Sequence, residues 1–171
     1  MGMTWLHTMD NAGRTPLDRA LGTGHRALVE AILATDNPAA IMAPGATPLH
    51  RAAAMGLTTA IQTLLLCGAD VKARDTQGET ALHYAVREGH LDTVHALLER
   101  SDPNAACNRG LTPLHWASIT GRADLFELLV VFGGDPFVRG EYLDGLNAID
   151  VAASMDYREI EELLEEKIMV A

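Results

Sequence analysis

The sequence predicts a mainly α-helical fold, a solenoid of stacked helix pairs, and two observations predict it. One four-residue pattern recurs: Thr15-Pro16-Leu17-Asp18, Thr47-Pro48-Leu49-His50, Thr80-Ala81-Leu82-His83 and Thr112-Pro113-Leu114-His115, with a weaker copy at Asn147-Ala148-Ile149-Asp150. Successive starts lie 32, 33, 32 and 35 residues apart. Glycines keep the same register. Gly13, Gly45, Gly78, Gly110 and Gly145 each stand two residues before a start, and Gly24, Gly56, Gly89 and Gly121 stand nine after the first four starts, with Asp156 at the fifth. A period of this length marks a repeat architecture, in which each unit buries its apolar face only against its neighbours.

The elements follow in order within one unit. Threonine before the first helical residue supplies a capping hydroxyl, and proline at the first position removes an amide that has no intrahelical partner anyway. Leu82, Ala85 and Val86 then fall at i, i+3 and i+4, a single apolar stripe. Gly89 closes that helix, because glycine tolerates the left-handed conformation of a C-terminal cap. A second helix is expected to place Leu91, Val94, Leu97 and Leu98 on its inner face. Turn residues follow, as in Gly68-Ala69-Asp70 and the stretch up to Gly78. A helix pair this small cannot bury both faces alone, so the pairs stack.

The unit Asp75-Thr76-Gln77-Gly78-Glu79-Thr80-Ala81-Leu82-His83 continuing to Gly89-His90-Leu91, with Leu65-Leu66-Cys67-Gly68-Ala69-Asp70-Val71, resembles the ankyrin repeat. The resemblance covers roughly residues 10–168 and implies antiparallel helix pairs with projecting β-hairpin or turn fingers, stacked into one curved domain over residues 1–171. The repeats are placed at about 10–41, 42–74, 75–106, 107–139 and 142–171, with 1–9 a partial N-terminal finger in which Trp5 and Leu6 cover repeat one. Repeats one and three are one residue short, with Thr35-Asp36-Asn37-Pro38 and Arg100-Ser101-Asp102-Pro103 where Gly-Ala-Asp is usual. About two extra residues near Arg139-Gly140-Glu141 lengthen the fifth finger. Asp18 and Asp150 replace the motif histidine at either end, as in capping repeats that face water.

Composition bounds the function. The chain has 171 residues, 48% of them hydrophobic and 21% charged, with a net charge of −10. These values fit a globular chain with a core. No apolar run is long enough to cross a membrane, and the N-terminal residues lack a signal-peptide pattern. Two cysteines, Cys67 and Cys107, make no disulfide framework, so a cytoplasmic or nuclear location is expected and secretion is not. Net negative charge disfavours binding to nucleic-acid phosphates. Residues 141–171 alone carry −7, read as the solvated face of a terminal helix.

No constellation points to catalysis. His50, His83 and His115 share one motif position, where the resemblance implies a structural hydrogen-bonding role near the motif threonines. His90 and His95 are five apart, against the four of helical metal pairs. Cys107 takes the place that Asp75 has in the previous finger and is expected to be exposed and oxidisable. There is no phosphate loop, nucleophile elbow or metalloprotease motif. Neither cofactor, metal nor enzymatic activity is expected. The resemblance also aligns Asn104 with a finger asparagine that an oxygenase hydroxylates in some members of the family, though Pro103 departs from that site.

Function is therefore expected on the variable face of each first helix, about 200° from the motif leucine, and on the fingers. The resemblance implies that these line a concave groove used for partners. The candidate residues are Arg51 and Met55; Thr76, Gln77, Glu79, Tyr84, Arg87 and Glu88; Asn108, Arg109, Leu111, Trp116, Ile119 and Thr120; and Tyr142, Leu143 and Met155. Tyr, Trp and Arg are the types enriched at binding hot spots, and methionine adapts to partners. The centre reads as aromatic and mildly basic, from Arg19, Arg51, Arg87 and Arg109. Such a groove suits a protein or peptide with apolar and acidic groups, with the chain acting as adaptor, scaffold or inhibitor. Trp116 packed sideways between Tyr84 and Val151 is the competing arrangement. The alternative function is a targeting or substrate-recognition domain of a larger enzyme or ubiquitin-ligase subunit. A monomer is expected unless the groove self-associates.

Overall fold

The computed structural model describes residues 10, 19–20, 44–160 and 162–163. The expected first finger, most of repeat one and the acidic C-terminal run beyond residue 163 lie outside them. Six helices form three αα-hairpins: α1 (Pro48–Ala54) with α2 (Thr58–Leu66), α3 (Ala81–Glu88) with α4 (Leu91–Leu98), and α5 (Pro113–Ile119) with α6 (Ala123–Val131). A 3-10 turn (Glu141–Leu143) and α7 (Ala148–Ser154) follow, and residues 158–160 and 162–163 are again helical. The first helices α1, α3, α5 and α7 pack in series, α1, α3 and α5 each pack on their partner, and α2, α4 and α6 pack in a second layer.

The layers meet in one continuous core. Leu49, Leu82, Leu114, Ala52, Ala85 and Ala117 come from the first helices, and Ile61, Leu64, Val94, Leu97, Leu125, Phe126 and Leu129 from the second. All are essentially excluded from water. Leu91, expected inside, is 41% exposed as the first residue of α4.

Two ladders tie one repeat to the next. In the first, the motif histidine closes the helix N-terminus and reaches forward. The Thr47 amide donates to His50 Nδ1 (3.1 Å), so that nitrogen is bare and the proton lies on Nε2, which donates to the Glu79 carbonyl (3.0 Å). His83 repeats this from the Thr80 amide to the Leu111 carbonyl (3.1 and 3.2 Å). His115 does so from Thr112 to Leu146 (3.1 and 3.4 Å). Burial holds all three below the usual histidine range, with His83 lowered to about 4. In the last repeat Asp150 accepts the Asn147 amide instead (3.2 Å).

The second ladder runs along the other end of the first helices. His90 Nε2 donates to the Ala54 carbonyl (3.0 Å), and Arg122 donates to the Gly89 carbonyl (3.1 Å). The side chain that reaches back occupies the space a Cβ would need. A Cβ on Gly56 would lie 2.7 Å from His90, one on Gly121 2.6 Å from Tyr157, and one on Gly89 would collide with Arg122. Gly89 also has φ +82°, which a side chain strains.

Candidate functional site

The fingers are compact five-residue turns, each closed by two backbone bonds: the Asp75 amide to the Glu79 carbonyl (3.0 Å) and the Gly78 amide to the Asp75 carbonyl (3.0 Å), then Cys107 to Leu111 and Gly110 to Cys107 (2.9 Å each). Among the described residues the one β-pairing outside helices is the isolated bridge of Arg139 and Asn147. Five residues leave no length for paired strands. The longer fifth finger uses its extra residues for the 3-10 turn, which ends at Asp144 in the left-handed region (φ 53°). Backbone bonds stack the tips: Thr76 to Pro44 (3.0 Å), Asn108 to Gln77 (2.9 Å) and Tyr142 to Arg109 (3.1 Å).

The finger tips display the predicted side chains. Thr76, Gln77, Asn108, Arg109 and Tyr142 are exposed, and Leu143 is half-buried. Arg109 donates to Gln77 Oε1 (3.2 Å), and its guanidinium lies 5.0 Å from the Tyr142 ring centroid. Gln77, Arg109 and Tyr142 thus form a linked row over three fingers. Tyr142 leaves 67% of its surface to water.

The helix face is less open than expected. Arg51, Met55, Arg87, Trp116 and Ile119 are half-buried, Glu88 and Thr120 are exposed, and Met155 is 50% exposed. Glu79, Tyr84 and Leu111, by contrast, are buried, so their side chains brace the surface rather than line it; Val151 is buried too. The reason for Tyr84 is Asp75. The Tyr84 hydroxyl donates to Asp75 Oδ2 (2.7 Å), while Asp75 Oδ1 accepts the Gln77 and Glu79 amides (2.8 and 2.9 Å). Leu111 closes its finger against Cys107, which is itself buried rather than open to oxidants.

The centre of the face is internally neutralised rather than basic. Arg87 donates to Glu79 Oε2 (3.0 Å) and Glu88 Oε1 (3.4 Å). Its guanidinium sits 4.5 Å from the Tyr84 ring and 5.4 Å from the Trp116 ring. Burial, the largest single effect, opposes its charge, but Glu79, with smaller help from Glu88 and Tyr84, holds its pKa above the ordinary value. Trp116 packs against the core, and its Nε1 is buried with no hydrogen-bond partner. That packing is closer to the sideways arrangement than to an open aromatic.

Asp75, His90, Arg122 and Tyr157 were not anticipated. The last three share a signal, a long side chain with a polar tip directly after the helix-closing position. His95, the other member of the five-apart pair, meets the Phe132 ring edge-on at 5.5 Å. Among the described residues no group of three His, Cys, Asp or Glu could hold a metal ion. Likewise no described helix is long and apolar enough to cross a membrane.

The family profile described as "Ankyrin repeats (3 copies)" matches residues 49–140, just over half the chain. Among curated proteins the chain is similar to mouse ankyrin repeat and SOCS box protein 16, with 45% identity over 101 residues, 54% of this chain and 22% of that protein. It is 44% identical over 71 residues to human ankyrin repeat domain-containing protein 63, covering 41% of this chain and 19% of the relative. Against the Arabidopsis thaliana E3 ubiquitin-protein ligase XBAT33 it is 40% identical over 90 residues, covering 49% and 17%. The matched part thus spans about a fifth of each relative's length.

Proposed function

This chain belongs to the ankyrin-repeat family, whose repeats are in general non-catalytic protein-interaction modules, and we propose that it binds a protein or peptide through its finger tips and first-helix face. It acts there as adaptor, scaffold or inhibitor, without chemistry of its own, in a reducing compartment that keeps Cys67 and Cys107 as thiols. The row of Gln77, Arg109 and Tyr142 carries the reading. A tyrosine two-thirds exposed and held by a guanidinium is a pre-ordered aromatic, which loses little entropy on binding. The neutralised Arg87 shifts the expected acidic contact of the partner from the centre of the groove to Arg109. Affinity purification with quantitative mass spectrometry tests this with the wild type, Tyr142→Ala and Arg109→Gln, and with Leu66→Ala on the outer helix as control. Partners should fall about tenfold or more on the two finger variants and hold on the control. Equal recovery on all four contradicts the reading.

The matches to a SOCS box protein and a ubiquitin ligase favour a second reading, a substrate-recognition domain within a larger ligase subunit. A full-length transcript that encodes a ligase-recruiting or catalytic domain on the same chain would support it.

A further inference from the structure

We propose that the cavity between the loops after α2 and α4 is a binding site for a compact carboxylate, separate from the finger tips. The chain supplies its own reference. Asp70 and Asp102 stand 32 residues apart, and each accepts the amide two residues on, from Lys72 and Asn104 respectively (2.9 Å each). Lys72 is thus the structural counterpart of Asn104. Asn104 bridges its loop to the next in both directions, donating from Nδ2 to the Gly133 carbonyl (2.9 Å) and accepting the Asp135 amide at Oδ1 (2.7 Å). Lys72 cannot do this, because an ammonium group only donates. The Asp102 amide, counterpart of the Asp135 amide, makes no such bond, and a cavity of about 410 Å³ opens where the bridge is missing.

What surrounds that cavity calls for an acceptor. Ser101 stands where the neighbouring loops carry Ala69 and Gly134, and its hydroxyl is buried without a hydrogen-bond partner. Lys72 and Arg74 line the same space; Arg74 also spans it to donate to the Ala106 carbonyl. Asp102 is the one acid there, with Oδ1 already engaged by the Asn104 amide. The Ser101 hydroxyl, the Asp102 amide and the Lys72 ammonium are all donors. The group that fills the matching place one repeat later is a planar carboxamide, and a carboxylate has the same shape with two acceptors. The counterpart of Gly133 is Arg100, which does not line the cavity, so the acceptor that takes the donor half of the Asn104 carboxamide is not repeated there.

The test is an amide-resolved NMR titration of the full chain with sodium acetate against sodium chloride at equal ionic strength, for the wild type, Ser101→Ala and Lys72→Asn. Acetate, and not chloride, should shift the amides of Lys72, Asp102, Ala105 and Ala106 to saturation. Binding should weaken at least about tenfold in Ser101→Ala, which keeps a small side chain and folds, and in Lys72→Asn. The latter should also melt a few degrees higher, because asparagine can rebuild the Asn104-type bridge. An aspartate-containing peptide at least about tenfold tighter than acetate makes a partner's acidic side chain the ligand; equal affinity makes it a free small acid. Acetate shifts no different from chloride, or binding unchanged in Lys72→Asn, would overturn the proposal and leave the finger-tip reading untouched.

Discussion

His83 joins three tasks in one ring. Its Nδ1 satisfies the Thr80 amide at the start of α3, its Nε2 holds the Leu111 carbonyl of the next finger, and its burial keeps it neutral. The first task is legible through the family resemblance at the motif threonine and histidine, while the reach across 28 residues is not, because no local pattern names an acceptor in another repeat. Linkage gives the pH consequence. The folded value near 4 lies below the ordinary 6.5, so the unfolded chain takes up the proton first as pH falls. Stability is therefore complete above the ordinary value and is lost progressively from there down to about pH 4, by about 3 kcal/mol from this ring alone. His50 and His115 add losses of the same sign. Urea denaturation between pH 7.5 and 4.5 is expected to show this fall, and His83→Gln a shallower one from a lower starting stability. The predicted exposure of Tyr84 failed at the same scale. Its place on the helix wheel was legible, and its clamp to Asp75, nine residues back in a finger, was not.

At the scale of elements, the glycine register marked where the described first helices α1, α3 and α5 stop: Gly56, Gly89 and Gly121 stand at or one residue past their C-caps with positive φ. Gly89 caps α3 in the left-handed conformation. The register does not separate a glycine kept for its backbone angle from one kept also for space. Gly68 has φ +83° with nothing within 4 Å of a Cβ, whereas a Cβ on Gly89 meets Arg122. Gly68→Ala is expected to cost about 1–2 kcal/mol for the left-handed angle alone. Gly89→Ala is expected to cost more, by at least about 1 kcal/mol, since Arg122 must also release the Gly89 carbonyl. Chemical denaturation of the two variants side by side distinguishes these cases, and equal losses would mean that Arg122 swings away freely. The fingers show the same division. Their turns were legible from stretches such as Gly68-Ala69-Asp70 up to Gly78, and their stacking through Asn108 and Tyr142 was not.

At the scale of the whole molecule, the described residues form a one-dimensional stack, and their fold was legible because the described repeats restate similar capping, packing and turn chemistry. The working surface was less legible, because a helix wheel orders the residues of one helix and says nothing of the neighbour that covers them. Trp116 and Arg87 are largely used inside the stack, while Arg109 and Tyr142 remain presented on the fingers. The central claim is that a partner engages that edge and the adjoining first helices, with the second-helix layer left to solvent. Hydrogen exchange of the captured complex against the free chain tests it most directly. Slower exchange is expected in residues 76–79, 108–111 and 141–144 and at the ends of α5 and α7, with α2, α4 and α6 unchanged. Protection confined to α2, α4 and α6, with the fingers exchanging as in the free chain, would contradict the account.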